Sequence, residues 1–342
     1  MTTAGGDDRE QLADGDRGQP ISLRQHRWSP TERAAVIASL AIVMGSLFVT
    51  SYSLALGDPV PHRIDAALVG DPTSHPRTVD AVERVASGSL VFHRYPSVPA
   101  AVHAIDEQDV YVALDLTSTR PTLYVASAAG ASVARVLERI STVDPTVRVV
   151  DTHPLGTADP NGLETFYLML ATTIVGFITV FQVRANAGGL PLRQWTVFVV
   201  ALAVAASLVF TLVEGPLLGR LDLPVPESWG ILALQLAAVA SFASLMAMLI
   251  GPWAILPTWL FFVVLGNSSS GGAVAPPLLP PPFAFVSQWL PSGATVTALR
   301  EAVYFPTYQH AHPFVVLATW ATALFAAMLV VSHRLGRSPG DP

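Results

Sequence analysis

The sequence contains no cysteine and no lysine, so all 19 basic residues are arginine. Without cysteine the chain forms no disulfide, thiolate zinc site or iron–sulfur cluster. Without lysine it lacks the residue that a P-loop ATPase uses on its phosphates, and it cannot form a Schiff base. We therefore expect no ATP hydrolysis and no bound cofactor in this chain.

Charge is also scarce. Charged residues make up 13% of the chain, about half the proportion of a typical soluble domain, while 51% of residues are hydrophobic and the mean hydropathy is +0.48. This composition indicates a membrane protein. The net charge of -6 and the lack of a basic tract exclude a nucleic-acid-binding surface as an expected function.

Long apolar runs divide the chain. A helix needs about 20 predominantly apolar residues to cross a bilayer. The sequence predicts an α-helical polytopic membrane protein with six transmembrane helices and an inserted extracytoplasmic α/β domain between the first and second. The fourth and fifth runs are separated only by the turn signal Gly251-Pro252, and the fifth is short. The six runs are 34–56, 163–183, 195–213, 229–250, 252–266 and 314–332.

Arginine placement predicts the orientation. Three groups of arginines fall on one side of a six-span protein, and the positive-inside rule assigns that side to the cytoplasm. We expect a multi-pass protein of the cell membrane with both termini cytoplasmic, and with residues 57–162 and 267–313 outside. The arginines are Arg24, Arg27 and Arg33, then Arg184 and Arg193, then Arg334 and Arg337.

Residues 57–162 alternate strand-like and helix-like patterns and contain no run long enough to span a membrane. This alternation is typical of a small α/β domain. Strands are predicted at 64–70, 90–95, 110–116, 123–126 and 147–151, with helices at 78–87, 98–107 and 132–140.

The two tails differ from the rest. Residues 1–33 form a predicted cytoplasmic tail, in which 21–33 mix apolar and basic side chains typical of an interfacial helix or of a flexible basic stretch. Ser29-Pro30 is a signal for the start of the first span. Residues 334–342 form the second cytoplasmic tail.

Catalytic patterns are missing. The sequence has neither G-x-S-x-G nor H-E-x-x-H. The span centres contain no acidic, basic or histidine residue, and the polar side chains within the spans are mostly serine and threonine plus Gln235. His310 and His312 form an H-x-H pair that fits an exposed loop better than a metal site. We expect no enzyme activity, and an ion gradient is a less favoured energy source than a partner protein.

Residues 267–313 form a connection far longer than the usual loop of about 4–6 residues. Pro276 to Pro282 interrupt any continuous helix, and short aromatic-rich helical runs follow at 283–290 and 295–305. Such broken segments fit a re-entrant or interfacial region, which needs protein or a water-filled cavity around its backbone. A passive external cap is the alternative.

The arrangement of spans and ectodomain resembles the permease subunits of ABC-2-type exporters. It is most similar to the branch with a large ectodomain, which includes the phage-infection-protein (YhgE/Pip) family and the nitrosoguanidine-resistance membrane proteins. The matching residues are Leu265–Ala273, Leu290–Gly293 with Leu299-Arg300 and Tyr304-Phe305, Val213–Gly219, and Tyr124–Gly130.

The resemblance implies a homodimeric membrane subunit in contact with membrane lipids, which moves a lipid, drug or envelope component outward while a separate ABC ATPase hydrolyses ATP. It also implies an elbow helix before the first span and a coupling loop with Arg184 and Arg193, although this loop is short and could serve orientation alone. The implied transport and gating residues are Glu214, Gly215, Pro216, Asn267, Gly271, Gly272, Trp289, Pro291, Gly293, Arg300 and Tyr304.

Two finer expectations and one alternative accompany this interpretation. Glu214 is expected to pair with Arg300 or Arg220, and Gly271-Gly272 to turn the backbone into the re-entrant region. The alternative is a non-transporting envelope protein whose external domain binds a partner, although five spans after that domain exceed what an anchor needs.

Overall fold

The structure is a computed structural model that describes residues 29–341. Its first helix, α1, runs from Pro30 to Leu56. The Ser29 amide donates to the Glu32 carboxylate at 2.7 Å and the Glu32 amide donates to Ser29 Oγ at 3.2 Å, which is a capping box. The helix therefore starts at the Ser29-Pro30 signal, and residues 30–33 belong to α1 rather than to a tail. The interfacial helix predicted from residue 21 falls mainly outside the described residues.

Five strands follow α1 and form one sheet in the order β2-β1-β3-β4-β5. Strand β1 pairs in parallel with β2 and β3, and β4 pairs in parallel with β5, whereas β3 and β4 are antiparallel. The predicted small α/β domain is present, and each predicted strand lies within two residues of an observed one. The strands are β1 Ile64–Val69, β2 Leu90–Arg94, β3 Val112–Asp115, β4 Thr122–Val125 and β5 Arg148–Asp151.

Helices cover both faces of this sheet. One face packs against α2 (Pro76–Val85), α4 (Ala131–Glu138) and α5 (Ile140–Val143), and the opposite face packs against α3 (Val98–Asp106). The valines of α2, Val79, Val82 and Val85, pack into the first core, where Val82 is fully buried. Alternate strand residues therefore point into two separate apolar cores, as a sheet buried on both faces requires.

Residues from the C-terminal half complete both cores of the α/β domain. Ala275 and Leu278 are buried in the first core, and Phe305 is buried in the second. The His62 amide donates to the Pro277 carbonyl at 3.0 Å. The segment predicted as re-entrant thus extends into the α/β domain.

Long apolar helices form the remainder of the protein. Five helical runs are long and apolar enough to cross a membrane, which indicates a multi-pass membrane protein. Helix α8 contacts α6, α7 and α12, and most of its residues are buried. The runs are α1, α6 (Glu164–Asn186), α7 (Leu192–Leu212) continued by a π-helical turn to Leu217, α8 (Val225–Ile250) continued with an interruption to Asn267, and α12 (Ala311–Leu335).

The run from Val225 to Asn267 is interrupted at Gly251. Gly251 adopts a φ of +59°, a conformation that favours glycine, and ends α8. The chain continues through a 3₁₀ turn to Ala254, α9 (Ile255–Thr258) and a π-helical segment, Trp259–Asn267. The Phe242 ring stacks on Phe261 with centroids 5.4 Å apart. The segment after the Gly251 turn, residues 255–267, therefore lies alongside α8. The turn signal thus corresponds to a real reversal of direction.

Two further helices occupy the long connection after Asn267. Helix α10 covers Pro281–Ser287 and α11 covers Pro291–Tyr304, each starting about two to four residues before the predicted run. Helix α11 is buried on most of its surface and contacts α6, α8 and α12. A helix buried among the long apolar helices does not fit a passive external cap.

Candidate functional site

The eleven residues implied in transport or gating lie in three places. Glu214, Gly215 and Pro216 form the π-helical end of α7. A second group lies where segment 255–267 meets the start of α11: Asn267, Pro291 and Gly293, with Trp289 just before that start. Gly271, Gly272, Arg300 and Tyr304 line one small cavity against the α/β domain, with a volume of about 10 Å³.

A contact between polar side chains joins three helices inside the bundle. Gln235 Nε2 donates to Thr173 Oγ1 at 3.1 Å, and Thr295 Oγ1 lies 3.2 Å from Gln235 Oε1. All three side chains are fully buried. Thr173 and Gln235 stand nine and ten residues into α6 and α8, which corresponds to a depth of about 14 Å at 1.5 Å per residue. This polar triad, Thr173–Gln235–Thr295, therefore lies near the middle of a bilayer-thick bundle.

Other buried polar groups surround the start of α11. Ser51 Oγ donates to the Val264 carbonyl at 2.7 Å and lies 2.9 Å from Ser268 Oγ. The Asn267 amide and the Ser292 hydroxyl are buried without a hydrogen bond of ordinary geometry, and the Tyr52 side chain is a polar neighbour of Asn267. Buried polar groups of this kind are normally paired, so their presence here needs a functional or solvent-related reason.

Glycine permits close packing at both ends of this region. A Cβ at Gly293 would lie 1.9 Å from the Ser287 carbonyl oxygen, and a Cβ at Gly272 would lie 2.7 Å from Phe166 Cβ. Gly271 has a φ of +74° and turns the backbone as expected. Gly272 lies in the same bend without a positive φ, and Phe166 packs directly against it, so a side chain there would clash.

The C-terminal end of α7 lies beside an acidic pair and one arginine. Arg220 donates to Glu164 Oε1 through Nε at 2.9 Å and through Nη2 at 2.7 Å. The Glu214 carboxyl interacts with the Glu164 carboxyl, and one Glu214 oxygen is buried without a hydrogen bond. Arg220 therefore forms its ion pair with Glu164, although its charge also acts on the Glu214 carboxyl, and Arg300 binds a backbone carbonyl.

Arg300 connects α11 to the chain that precedes it. Its Nη2 donates to the Gly271 carbonyl at 3.0 Å. Among residues 29–341 the guanidinium forms no ion pair with a carboxylate. Burial lowers the pKa of the Arg300 guanidinium, opposed by the nearby Tyr111, Tyr304 and Glu301 side chains. Arg300 also lines a second, larger cavity of about 330 Å³.

Glu301 and His310 form a second contact at this end of α11. Glu301 accepts a hydrogen bond from the His310 amide at 2.9 Å, and its other oxygen lies 3.0 Å from His310 Nδ1. The Glu301 side chain is only 2% exposed, and burial raises the pKa of its carboxyl against the lowering effect of His310. No cluster of three metal-ligating side chains occurs in the described part of the chain. Of the H-x-H pair, His310 contacts Glu301 and His312 contacts the Trp289 ring.

The C-terminal tail contacts the loop expected to couple to an ATPase, although residues 185–189 of that loop stay exposed. Arg184 Nη1 donates to the Pro339 carbonyl at 2.8 Å, and the Gly189 amide donates to the Gly340 carbonyl at 2.8 Å. Arg193 is exposed at the start of α7. Only Arg193 of the two expected coupling arginines is thus freely presented on the surface.

Sequence patterns missed several of these contacts. The sequence places Glu164 only at the end of a span. It gives no signal that Glu301 is a partner of His310, because nine residues separate them. Gln235 was the one polar residue other than serine or threonine noted within the spans, and that was the available signal for the polar triad. Thr173 and Thr295 carried no signal, since threonine is common in membrane helices.

No family model, curated protein or solved structure matches this chain.

Proposed function

We propose that this chain is the permease subunit of an ABC-2-type exporter that moves a lipid, drug or cell-envelope component outward, with ATP hydrolysed by a separate subunit. The observation that carries the proposal is the position of α11. One end contributes Thr295 to the polar triad at mid-depth, and Phe305, directly after the other end, enters the core of the α/β domain. A movement within the bundle would thus be transmitted to the α/β domain.

The proposal includes a topology of six spans, with both termini in the cytoplasm and the α/β domain outside. The reversal at Gly251 supports two spans within 225–267, the second of them short. The contact of the C-terminal tail with the α6–α7 loop supports six spans, because an even number of spans between the two segments puts them on the same side. A homodimer in the cell membrane completes the proposal.

Because the chain has no cysteine, single cysteines can test this topology directly. We expect a membrane-impermeant maleimide to label Ser74→Cys and Ser141→Cys in intact cells, and to label Gly189→Cys only after the membrane is opened. Labelling of Gly189→Cys in intact cells, or protection of both domain positions, would refute the orientation.

Co-purification tests the dependence on a partner. The tagged protein is isolated in mild detergent, and mass spectrometry identifies the proteins and lipids that accompany it. We expect an ATPase with a Walker A motif, recovered less with Arg193→Glu and equally well with Arg139→Glu on the α/β domain. If the wild-type protein co-purifies with no such ATPase, the proposal is contradicted.

A second function, an envelope protein that binds a partner through the α/β domain, has one supporting observation. A groove of about 630 Å³ lies between the start of α2 and residues 143–146, and it is lined by charged and polar side chains such as Arg77, Asp80 and Asp144. Charge reversal at Arg77 and Asp80 that abolished the cellular phenotype without affecting ATPase capture would favour this second function.

A further inference from the structure

The Arg300 guanidinium forms no ion pair among the described residues, although the Asp159 carboxylate lines the small cavity with it and the Glu301 carboxylate lines the larger one. It lies between the small cavity and the larger one of about 330 Å³, and its hydrogen bond to the Gly271 carbonyl uses one of five N–H donors. The adjacent carboxylate, Glu301, accepts two contacts from His310. A partly buried charge that lacks a counter-ion is costly for a protein to maintain.

The larger cavity has the size and lining of a ligand site. Its volume is at the lower end of the range of small-molecule pockets, about 300–1,000 Å³. Arg300 and Thr297 supply hydrogen-bond donors, and the Glu301 carboxylate that also lines the cavity has both oxygens in contact with His310. Val110, Ala129 and Pro276 are apolar. Arginine binds phosphate and carboxylate groups through charge-assisted, often bidentate hydrogen bonds.

An apolar surface continues from the edge of this cavity. His312 lines the cavity and contacts the Trp289 ring edge-on, with ring centroids 5.2 Å apart. Trp289 is 52% exposed, and Val315, one turn along α12 from His312, is 60% exposed. Tryptophan is enriched where a membrane meets water. Hydrocarbon could therefore extend along Trp289 and Val315 while a head group occupies the cavity.

We propose that the cavity beside Arg300 binds the phosphate head group of an anionic amphiphile, with its chains along Trp289 and Val315. Such a site indicates the class of substrate that the exporter moves, and this interpretation rests on the proposed function. The binding itself requires neither an ATPase nor transport. The same phosphate chemistry could also come from free phosphate, and the test separates the two sources.

The test measures binding by microscale thermophoresis with the purified full chain in a neutral detergent. The probes are dioctanoylphosphatidylglycerol, dioctanoylglycerol with the same chains but no phosphate, and inorganic phosphate. We expect the phosphatidylglycerol to bind at least about tenfold more tightly than either other probe, because only it supplies both the anion and the chains. If inorganic phosphate binds as tightly as the phosphatidylglycerol, the proposal that the ligand is an amphiphile is overturned. If dioctanoylglycerol binds as tightly, the proposal that the cavity binds a phosphate is overturned.

Variants locate the site. Arg300→Gln is expected to weaken phosphatidylglycerol binding about tenfold or more, Arg300→Lys to weaken it less, and the surface control Arg139→Gln to leave it unchanged. Thr297→Trp fills the cavity without removing the arginine and should also weaken binding, whereas Thr297→Ser should not. If Arg300→Gln and Thr297→Trp both bind the phosphatidylglycerol as tightly as the wild type, the proposal is overturned, even if one of them folds poorly.

This experiment can fail independently of the proposed function. A protein that captures an ATPase but binds phosphatidylglycerol no better than dioctanoylglycerol would contradict this site alone. A protein that binds phosphatidylglycerol through Arg300 but never captures an ATPase would contradict the exporter alone.

Discussion

The α/β domain and the helical bundle treat buried polar groups in opposite ways. Within residues 29–341, every buried side-chain polar atom without a hydrogen-bond partner belongs to residues 214–304, in the bundle and the connection that follows Asn267. In the α/β domain, by contrast, a side chain such as Asp151 accepts hydrogen bonds from Ser127 N at 3.1 Å, from Ser127 Oγ and from His153 N at 3.2 Å.

The difference indicates separate tasks. In the α/β domain no described buried side-chain polar atom lacks a hydrogen-bond partner, so breaking one of these contacts leaves a costly unpaired group. In the bundle, unpaired buried groups such as those of Asn267 and Ser292 do not contribute stability. We infer that the α/β domain is a rigid element and that the region around Asn267, Ser292 and the polar triad serves a function at the expense of stability. Four predictions test this comparison.

The largest effect is expected at Gly293. Alanine there would place its Cβ against the Ser287 carbonyl oxygen, a backbone atom that cannot move away easily. Overpacking in well-packed regions costs about 1–3 kcal/mol and occasionally more, and we expect the upper end. Thermal unfolding in detergent measures the loss. The matched control is Gly230→Ala in α8, where nothing lies within 4 Å, and it should be neutral or slightly stabilising. Equal stability of both variants would show that α10 and α11 separate readily.

The next effect tests the rigid domain. Asp151→Ala removes the acceptor for two backbone amides and one hydroxyl, and the unpaired groups should cost about 2–3 kcal/mol. The control is Asp80→Ala on the exposed surface of α2, which should change stability by less than about 0.5 kcal/mol. Urea unfolding followed by circular dichroism compares the two. A small effect at Asp151 would mean that hydrogen-bond satisfaction does not distinguish the two regions.

A smaller effect is expected inside the bundle. Gln235→Leu removes the contacts to Thr173 and Thr295, but both hydroxyls keep other neighbours, Met169 Sδ and the Pro291 carbonyl. Hydrogen bonds between membrane helices contribute about 0.6 kcal/mol on average, so stability should change by less than about 1 kcal/mol while export falls. Thermal unfolding and substrate export are measured on the same preparation. A large loss of stability with unchanged export would assign the triad a structural role.

The smallest effect concerns pH. Burial raises the pKa of the Glu301 carboxyl in the folded protein. Because the folded pKa exceeds the unfolded one, stability from this group is present below the ordinary glutamate pKa of about 4.3 and is lost as pH rises through the raised value.

Glu301→Gln should remove that loss, so the decrease in melting temperature above about pH 4.3 becomes shallower than in the wild type. Melting temperatures at a series of pH values, for both proteins in the same detergent, measure the difference. Parallel curves for the two proteins would contradict a raised pKa.

The sequence predicted local structure well where patterns were strong. Alternating and amphipathic runs located all five strands and three of the helices in the α/β domain, because side-chain burial has a period of two in strands and 3.6 in helices. The antiparallel placement of β4 had no such signal. Ala275 and Leu278, about 120 residues further along the chain than the domain's own segments, could not be assigned to its core because no local pattern reports distant contacts.

The candidate site was predicted in part. Gly271, Gly272, Arg300 and Tyr304 were selected from the sequence and line the same cavity. The ion pair of Arg220 with Glu164 was not predicted, since charge and proximity to a span end do not distinguish Glu164 from Glu214. The contact between Glu301 and His310 was missed because the loop between them returns to the helix only in the folded chain.

The sequence by itself determined that long apolar helices and a small α/β domain would form, because helix and strand formation and burial follow from local composition and periodicity. It also determined that arginine is the only strong base available, so that Arg300 carries the one permanent cation at its cavity. Only the tertiary structure decided which groups meet. Hydrogen bonds and ion pairs depend on distances of about 3 Å between residues that are far apart in the chain, and packing around Gly272 and Gly293 sets those distances.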